Sequence, residues 1–142
     1  MSERIVMKGT GMDFQSFSVE ERSAYTKMIN NTLAGVEACQ KYLPMDPNSD
    51  DVFARLEDGV MLCYLINIAA PGTINESKIV TKNLNPFTKG ENIKLGLNAA
   101  KQIGIKVVGI GTDTFRDYAK ERVLLLGIIW QVVKAVRNLF LI

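Results

Sequence analysis

The chain has 142 residues, 47% of them hydrophobic, with 17 basic and 15 acidic side chains for a formal charge of +2. That length allows one domain with a substantial core, the apolar content excludes disorder, and the balanced charge gives no footprint for nucleic acid. Histidine is absent, which removes the commonest general base and the commonest metal ligand together.

Residues 1–17 show no sustained period and contain Gly9 and Gly11, so they are expected to form a mobile lead-in to a domain over 18–142. The opening "MSERIVMKGTG" lacks the apolar run of a secretion signal. Ser18 and Glu21 then stand at capping-box spacing, and Tyr25, Met28, Ile29, Leu33 and Val36 follow at helical intervals, which predicts the first long helix. Pro44 and Pro47 interrupt the chain, and a short helix is expected over residues 50–57, ended by Asp58-Gly59. The stretch "VMLCYLINIAA" is apolar nearly all round, which predicts a centrally buried helix stopped at Pro71-Gly72. After the polar "TINESKIVTKNLNPF", a helix from Lys89 to Ile103 is expected to end at Gly104 as a left-handed stop. The last helix, from Lys120 onward, is almost wholly apolar over "VLLLGIIWQVVKAV". That predicts a buried Trp130 at the hub of the bundle, where truncation to alanine would cost about 3–5 kcal/mol. With no repeat and no alternating run long enough for a sheet of several strands, the expected architecture is all-α: four main helices plus short connecting helices.

Several stretches imitate functional motifs. Asp46, Asn48, Asp50 and Glu57 fall at positions one, three, five and twelve of a calcium loop, but the sixth position, which needs glycine, is Asp51, and Pro44 breaks the entering helix. Capping of the short helix by Asn48, Ser49 or Asp50 accounts for the same residues, so no metal site is expected. "VVGIGTD" at 107–113 resembles a phosphate-binding turn, yet Thr114 occupies the place of the third glycine and no acid follows at the required distance. The final twenty residues are long enough to cross a bilayer, but Gln131, Lys134, Arg137 and Asn138 argue for a core helix and no transmembrane segment. The charge is unevenly placed: residues 37–58 are acidic, and 75–106 carry Lys78, Lys82, Lys89, Lys94, Lys101 and Lys106 against Glu76 and Glu91. Phe87 alone interleaves aromatic character with those lysines, which fits a solvated face or a patch for an acidic protein and not a nucleic-acid groove. Cys39 and Cys63 make no Cys-x-x-Cys pair and read as reduced, buried thiols of a cytosolic protein.

Read together, "LEDGVMLCYLIN", "APGTINESKI", "NLNPFTKGENIKLGLNAAKQIGIKVVGIGTDTF" and "VLLLGIIWQVVK" resemble the calponin-homology family, in particular the first such domain of the fimbrins (plastins). The likeness covers residues 16–142 and implies a single calponin-homology domain in which 107–113 is the connector before the last helices. Met28 stands where the family's first helix usually has tryptophan, and Gly109 where its connector usually has asparagine. The resemblance implies binding of filamentous actin as part of an actin-bundling or crosslinking cytoskeletal protein in the cytoplasm; with no histidine and no paired catalytic constellation, neither enzymatic activity nor a cofactor is expected. Carried over by position, the actin-binding residues are Arg22, Lys27 and Asn30 on the first helix, and Leu125, Gly127, Trp130, Lys134 and Arg137 on the last. Further calponin-homology domains are expected in the full-length protein, one of which would cover the apolar ending "NLFLI". The alternative is a regulatory adaptor, a single calponin-homology domain that binds signalling proteins or microtubules; fold alone does not separate the two.

Overall fold

A computed structural model describes residues 4–8 and 14–139. Six α-helices carry the described chain: α1 (Val19–Thr32), α2 (Asp51–Ala54), α3 (Val60–Ala69), α4 (Pro86–Gln102), α5 (Thr112–Arg116) and α6 (Arg122–Leu139), with 3-10 turns at Glu37–Tyr42 and Glu76–Lys78. The four long ones are α1, α3, α4 and α6, and the domain is all-α as its sequence pattern requires. Ahead of it, β1 (Arg4–Lys8) and β2 (Phe14–Ser18) pair antiparallel, with Ile5 opposite Phe17, and β2 lies against α1 and α6. The expected mobile lead-in therefore includes a paired ribbon; residues 1–3 and 9–13 lie outside the described residues. Two short runs flanking a glycine-containing stretch can pair without either being long enough to show a period by itself.

Local signals place the helix starts. The Ser18 hydroxyl accepts from the Glu21 amide at 3.1 Å, so the first cap is as the spacing predicts. Helix α4 begins at Pro86, three residues before the expected start, because Asn85 and Thr88 cap each other's backbone amides at 3.0 and 2.9 Å and Pro86 needs no amide partner in the first turn. Gly104 adopts φ 89° just past α4, the left-handed stop that was expected. The connector holds a helix that the sequence reading passed over, α5, whose start is marked by the Gly111 amide donating to the Thr114 hydroxyl at 3.0 Å.

Helix α3 is the centre of the fold, packed against α4 on one side and α6 on the other. Val60, Met61, Leu62, Cys63, Leu65 and Ile66 are all buried, as an all-round apolar helix requires. Phe53 and Phe115 are each fully buried in the core, and Phe115 lies beside Leu62 and Leu65 of α3 and Ile128 and Val132 of α6. Cys39 and Cys63 are buried as well, and burial together with the neighbouring Asp58 carboxylate pushes both thiols up to about 12.

Loops are fastened to this bundle by one device used four times. Each long helix contributes an amide side chain that both donates to and accepts from the backbone of a single loop residue, as a neighbouring strand would. Asn30 of α1 holds Met45 (2.9 and 2.8 Å), Asn67 of α3 holds Ile74 (2.9 and 2.8 Å), Asn92 of α4 holds Val80 (2.8 and 2.9 Å) and Gln131 of α6 holds Lys106 (3.1 and 2.9 Å). Each clamp satisfies backbone groups of a segment that has no ladder of its own.

One expectation is corrected here. Trp130 is not at the hub: it is 40% exposed. The buried residues of α6 are Leu125, Leu126, Ile128, Ile129, Val132, Val133 and Val136, whereas Val123, Gly127, Trp130, Lys134 and Arg137 recur at intervals of three and four on the outer side. The helix is apolar in composition but still two-faced. Trp130 and Gly127 belong to the outer stripe because of their spacing, despite their apolar character.

Candidate functional site

The outer face of α6 begins at Val123 and Leu124, both exposed, passes Gly127 and Trp130, and ends in Lys134 and Arg137. A side chain added at Gly127 would meet no atom within 4 Å among the described residues, so the helix backbone is accessible one turn before the indole. The Tyr25 ring of α1 stacks on Trp130, with centroids 5.9 Å apart and planes 22° from parallel. The Lys134 ammonium, one turn on, stands 5.7 Å from the indole centroid, within cation–π range. Tyr25 itself donates to the Glu21 carboxylate at 3.2 Å; burial, and then that carboxylate, raise its phenol above the usual value.

Of the eight residues singled out from the sequence, this geometry unites four: Gly127, Trp130, Lys134 and Arg137. Leu125 is fully buried and presents nothing to a partner. Asn30 is committed to clamping Met45. Arg22 is 7% exposed and reaches Asp50 at 3.4 Å, where Arg122 also binds through Nη2 at 2.6 Å and Nε at 2.9 Å. Asp50 thereby ties the start of α6 to α1, an internal role for a residue that would be fifth in a calcium loop. The other acids of that loop are similarly engaged: Asp46 accepts from the Asn48 amide at 2.9 Å, Asp51 from the Asp46 amide at 2.9 Å, and Glu57 from Lys89 at 2.7 Å. Among the described residues no group of three acidic or cysteine side chains is placed to hold a metal ion. Lys27 is exposed but stands about 200° round α1 from Tyr25 at about 100° per residue, so it faces away from the Trp130 stack.

Sequence reasoning missed Tyr25, Arg122 and Asp50 as parts of this region. Tyr25 was readable only as one member of an apolar stripe. The partners of Asp50 lie 28 and 72 residues away, a separation at which no local pattern exists.

The CH (calponin homology) domain family matches residues 19–138. The chain belongs to the calponin homology family. Among curated proteins it is 44% identical to Plastin-2 of Danio rerio and 42% to Plastin-1 of Homo sapiens, each over 119 residues, and 48% identical to Fimbrin-2 of Arabidopsis thaliana over 120 residues. These alignments cover 84% of this chain but only 18–19% of the relatives, so it spans about a fifth of their length. Among solved structures, the actin-crosslinking core of Schizosaccharomyces pombe fimbrin superposes with a TM-score of 0.77 at 30% identity, over 84% of this chain and 26% of that one. As a calponin homology domain the chain has the expected all-α bundle, and its "VVGIGTD" stretch is the connector into the last helices, where Gly109 supplies a turn at φ 77°. No helix among the described residues is long and apolar enough to cross a membrane.

The position of Trp130 changes what its removal should do. Trp130→Ala is expected to cost about 1–2 kcal/mol, chiefly the stack on Tyr25 and the cation contact, and not the 3–5 kcal/mol typical of a core tryptophan. Urea denaturation of the two proteins checks this, and a loss above about 3 kcal/mol would place the indole in the core after all.

Proposed function

We propose that this calponin homology domain binds filamentous actin through the outer stripe of α6, with Trp130 as the apolar anchor and Lys134 and Arg137 as the steering cations, and that it acts as a binding domain and not as an enzyme. The observation that carries the reading is the half-exposed tryptophan with Lys134 over it, on the outer face of a last helix whose other face is buried. Its presence in a chain similar to the actin-crosslinking core of fimbrin supplies the partner. An aromatic beside cations on a rigid helix is the composition of an interface hot spot, and the cations steer approach to an acidic filament. Lys27 contributes at longer range from α1. A cytoplasmic, cytoskeletal location follows from the same reading. Crosslinking or bundling would require further actin-binding units in a longer protein, such as additional calponin homology domains.

Co-sedimentation of the 142-residue chain with actin filaments, and separately with microtubules, tests the proposal. Binding to actin is expected at about micromolar affinity or weaker, about −8 kcal/mol or less favourable, because one small face must offset the roughly 4–15 kcal/mol cost of association. Raising the ionic strength until the Debye length falls well below about 8 Å should reduce pelleting clearly, and neutralising Lys27, Lys134 and Arg137 together should do the same at low salt. Microtubule pelleting without actin pelleting would instead favour an adaptor role, and actin binding unaffected by Trp130→Ala would move the site off α6.

A further inference from the structure

Trp130 is exposed but not loose. Its indole is stacked on Tyr25, and Tyr25 in turn is anchored at its hydroxyl by Glu21, one turn earlier on α1. Lys134 restrains the same indole from its own helix. Of these two contacts, the Tyr25 stack is the one that reaches across from another element, and it ties the orientation of Trp130 to α1. Tyr25 is half-buried and packs against the core, which makes it a fixed support for the ring it touches. A large side chain that must be immobilised when a partner docks loses rotamer freedom at that moment, and one already held in place does not.

We infer that Tyr25 is a positioning residue for the α6 face: its ring holds the indole of Trp130 in the orientation that a partner meets, so that α1 acts on binding through α6. The inference rests on the actin-binding reading for its functional consequence, whereas the positioning itself is a property of the free protein.

Trp130 is the single tryptophan of the chain, so tryptophan emission and its anisotropy report on this indole alone. Two variants of the 142-residue chain separate ring from bulk: Tyr25→Leu keeps apolar volume against the core without a ring to stack, and Tyr25→Phe keeps the ring. Far-UV circular dichroism and the melting curve check that both fold. Tyr25→Leu is expected to shift the Trp130 emission, lower its anisotropy and weaken actin co-sedimentation about three- to tenfold, the affinity equivalent of one aromatic pair. Tyr25→Phe is expected to stay within about twofold of the original protein in binding and to keep the emission, since stacking needs the ring and not the hydroxyl. An unchanged Trp130 signal in Tyr25→Leu overturns the inference, as does a changed signal with unaltered binding, or a loss in Tyr25→Phe equal to that in Tyr25→Leu. If Trp130→Ala binds actin as well as the original chain, the reading of the α6 face fails, and the emission of the two Tyr25 variants still decides whether Tyr25 positions the indole.

Discussion

Replacing Gly59 with alanine is expected to destabilise the domain by about 3–5 kcal/mol, enough to lower the melting temperature by roughly 10 °C or more. Gly59 sits at the start of α3 with φ 79°, a conformation that costs a side chain about 1–3 kcal/mol. A Cβ built there would come within 2.6 Å of the Ile93 nitrogen and 2.7 Å of the Asn92 carbonyl carbon, contacts with helix backbone that cannot rotate away. Relief would require α3 and α4 to separate, which would open the packing between the central helix and its neighbour. Gly72 provides the control, because it has φ 81° and nothing within 4 Å of its Cβ position among the described residues. Gly72→Ala thus introduces strain without collision and should lose about 1 kcal/mol. Equal losses in guanidinium denaturation of the two variants would show that the approach of α3 to α4 is not what requires glycine at 59.

Asn92→Ala should be comparably damaging, at about 3–4 kcal/mol, although it deletes only a small polar side chain. Asn92 is 1% exposed and uses its whole amide: Nδ2 donates to the Asp58 carbonyl at 3.1 Å and to the Val80 carbonyl at 2.8 Å, and Oδ1 accepts from the Val80 amide at 2.9 Å. Truncation strands three backbone groups, each costing about 1–3 kcal/mol where water cannot reach and less where it can. It also loosens a wider network. Asp58, joined to Asn92 through its carbonyl, accepts from the Tyr42 hydroxyl and from the Val60 amide with its carboxylate, which fixes the entry to α3. Hydrogen exchange gives the sharper readout. The Val80 amide is expected to be protected in the original protein and to exchange many times faster in Asn92→Ala. Retained protection would mean that the 79–80 segment is held by its apolar neighbours and not by Asn92.

The two variants also mark where the sequence stops being readable. Gly59 was visible as half of an Asp-Gly turn, a signal contained in two adjacent residues, but nothing in that dipeptide shows that α4 passes so close that a Cβ at 59 would lie 2.6 Å from the Ile93 nitrogen. Asn92 looked like any polar residue on a helix, because its partners lie 12 and 34 residues away. Trp130 is the opposite case. Its outward position was legible in the i, i+3, i+4 spacing of Gly127, Trp130, Lys134 and Arg137, but apolar composition was allowed to outweigh periodicity. The same spacing that excludes Trp130 from the core puts Leu125 inside it, so the inward or outward position of all five candidate residues on α6 is encoded in their periodicity.

What the sequence by itself determined is the order and nature of the long helices: Ser18 as a cap, Gly104 as a stop, the all-round apolar α3, and a family likeness carried by motifs in series. These are encoded within three or four residues of each other, the range over which a helix turn closes its own hydrogen bonds. Only the tertiary structure decided the pairing of Arg22 and Arg122 on Asp50, the four amide clamps, and the stack of Tyr25 on Trp130 that turns two helix surfaces into one face. Those contacts join residues from separate elements. Which side chains meet there depends on how α1, α3 and α6 cross, and the crossing is set by the packing of the whole core, not by any single segment.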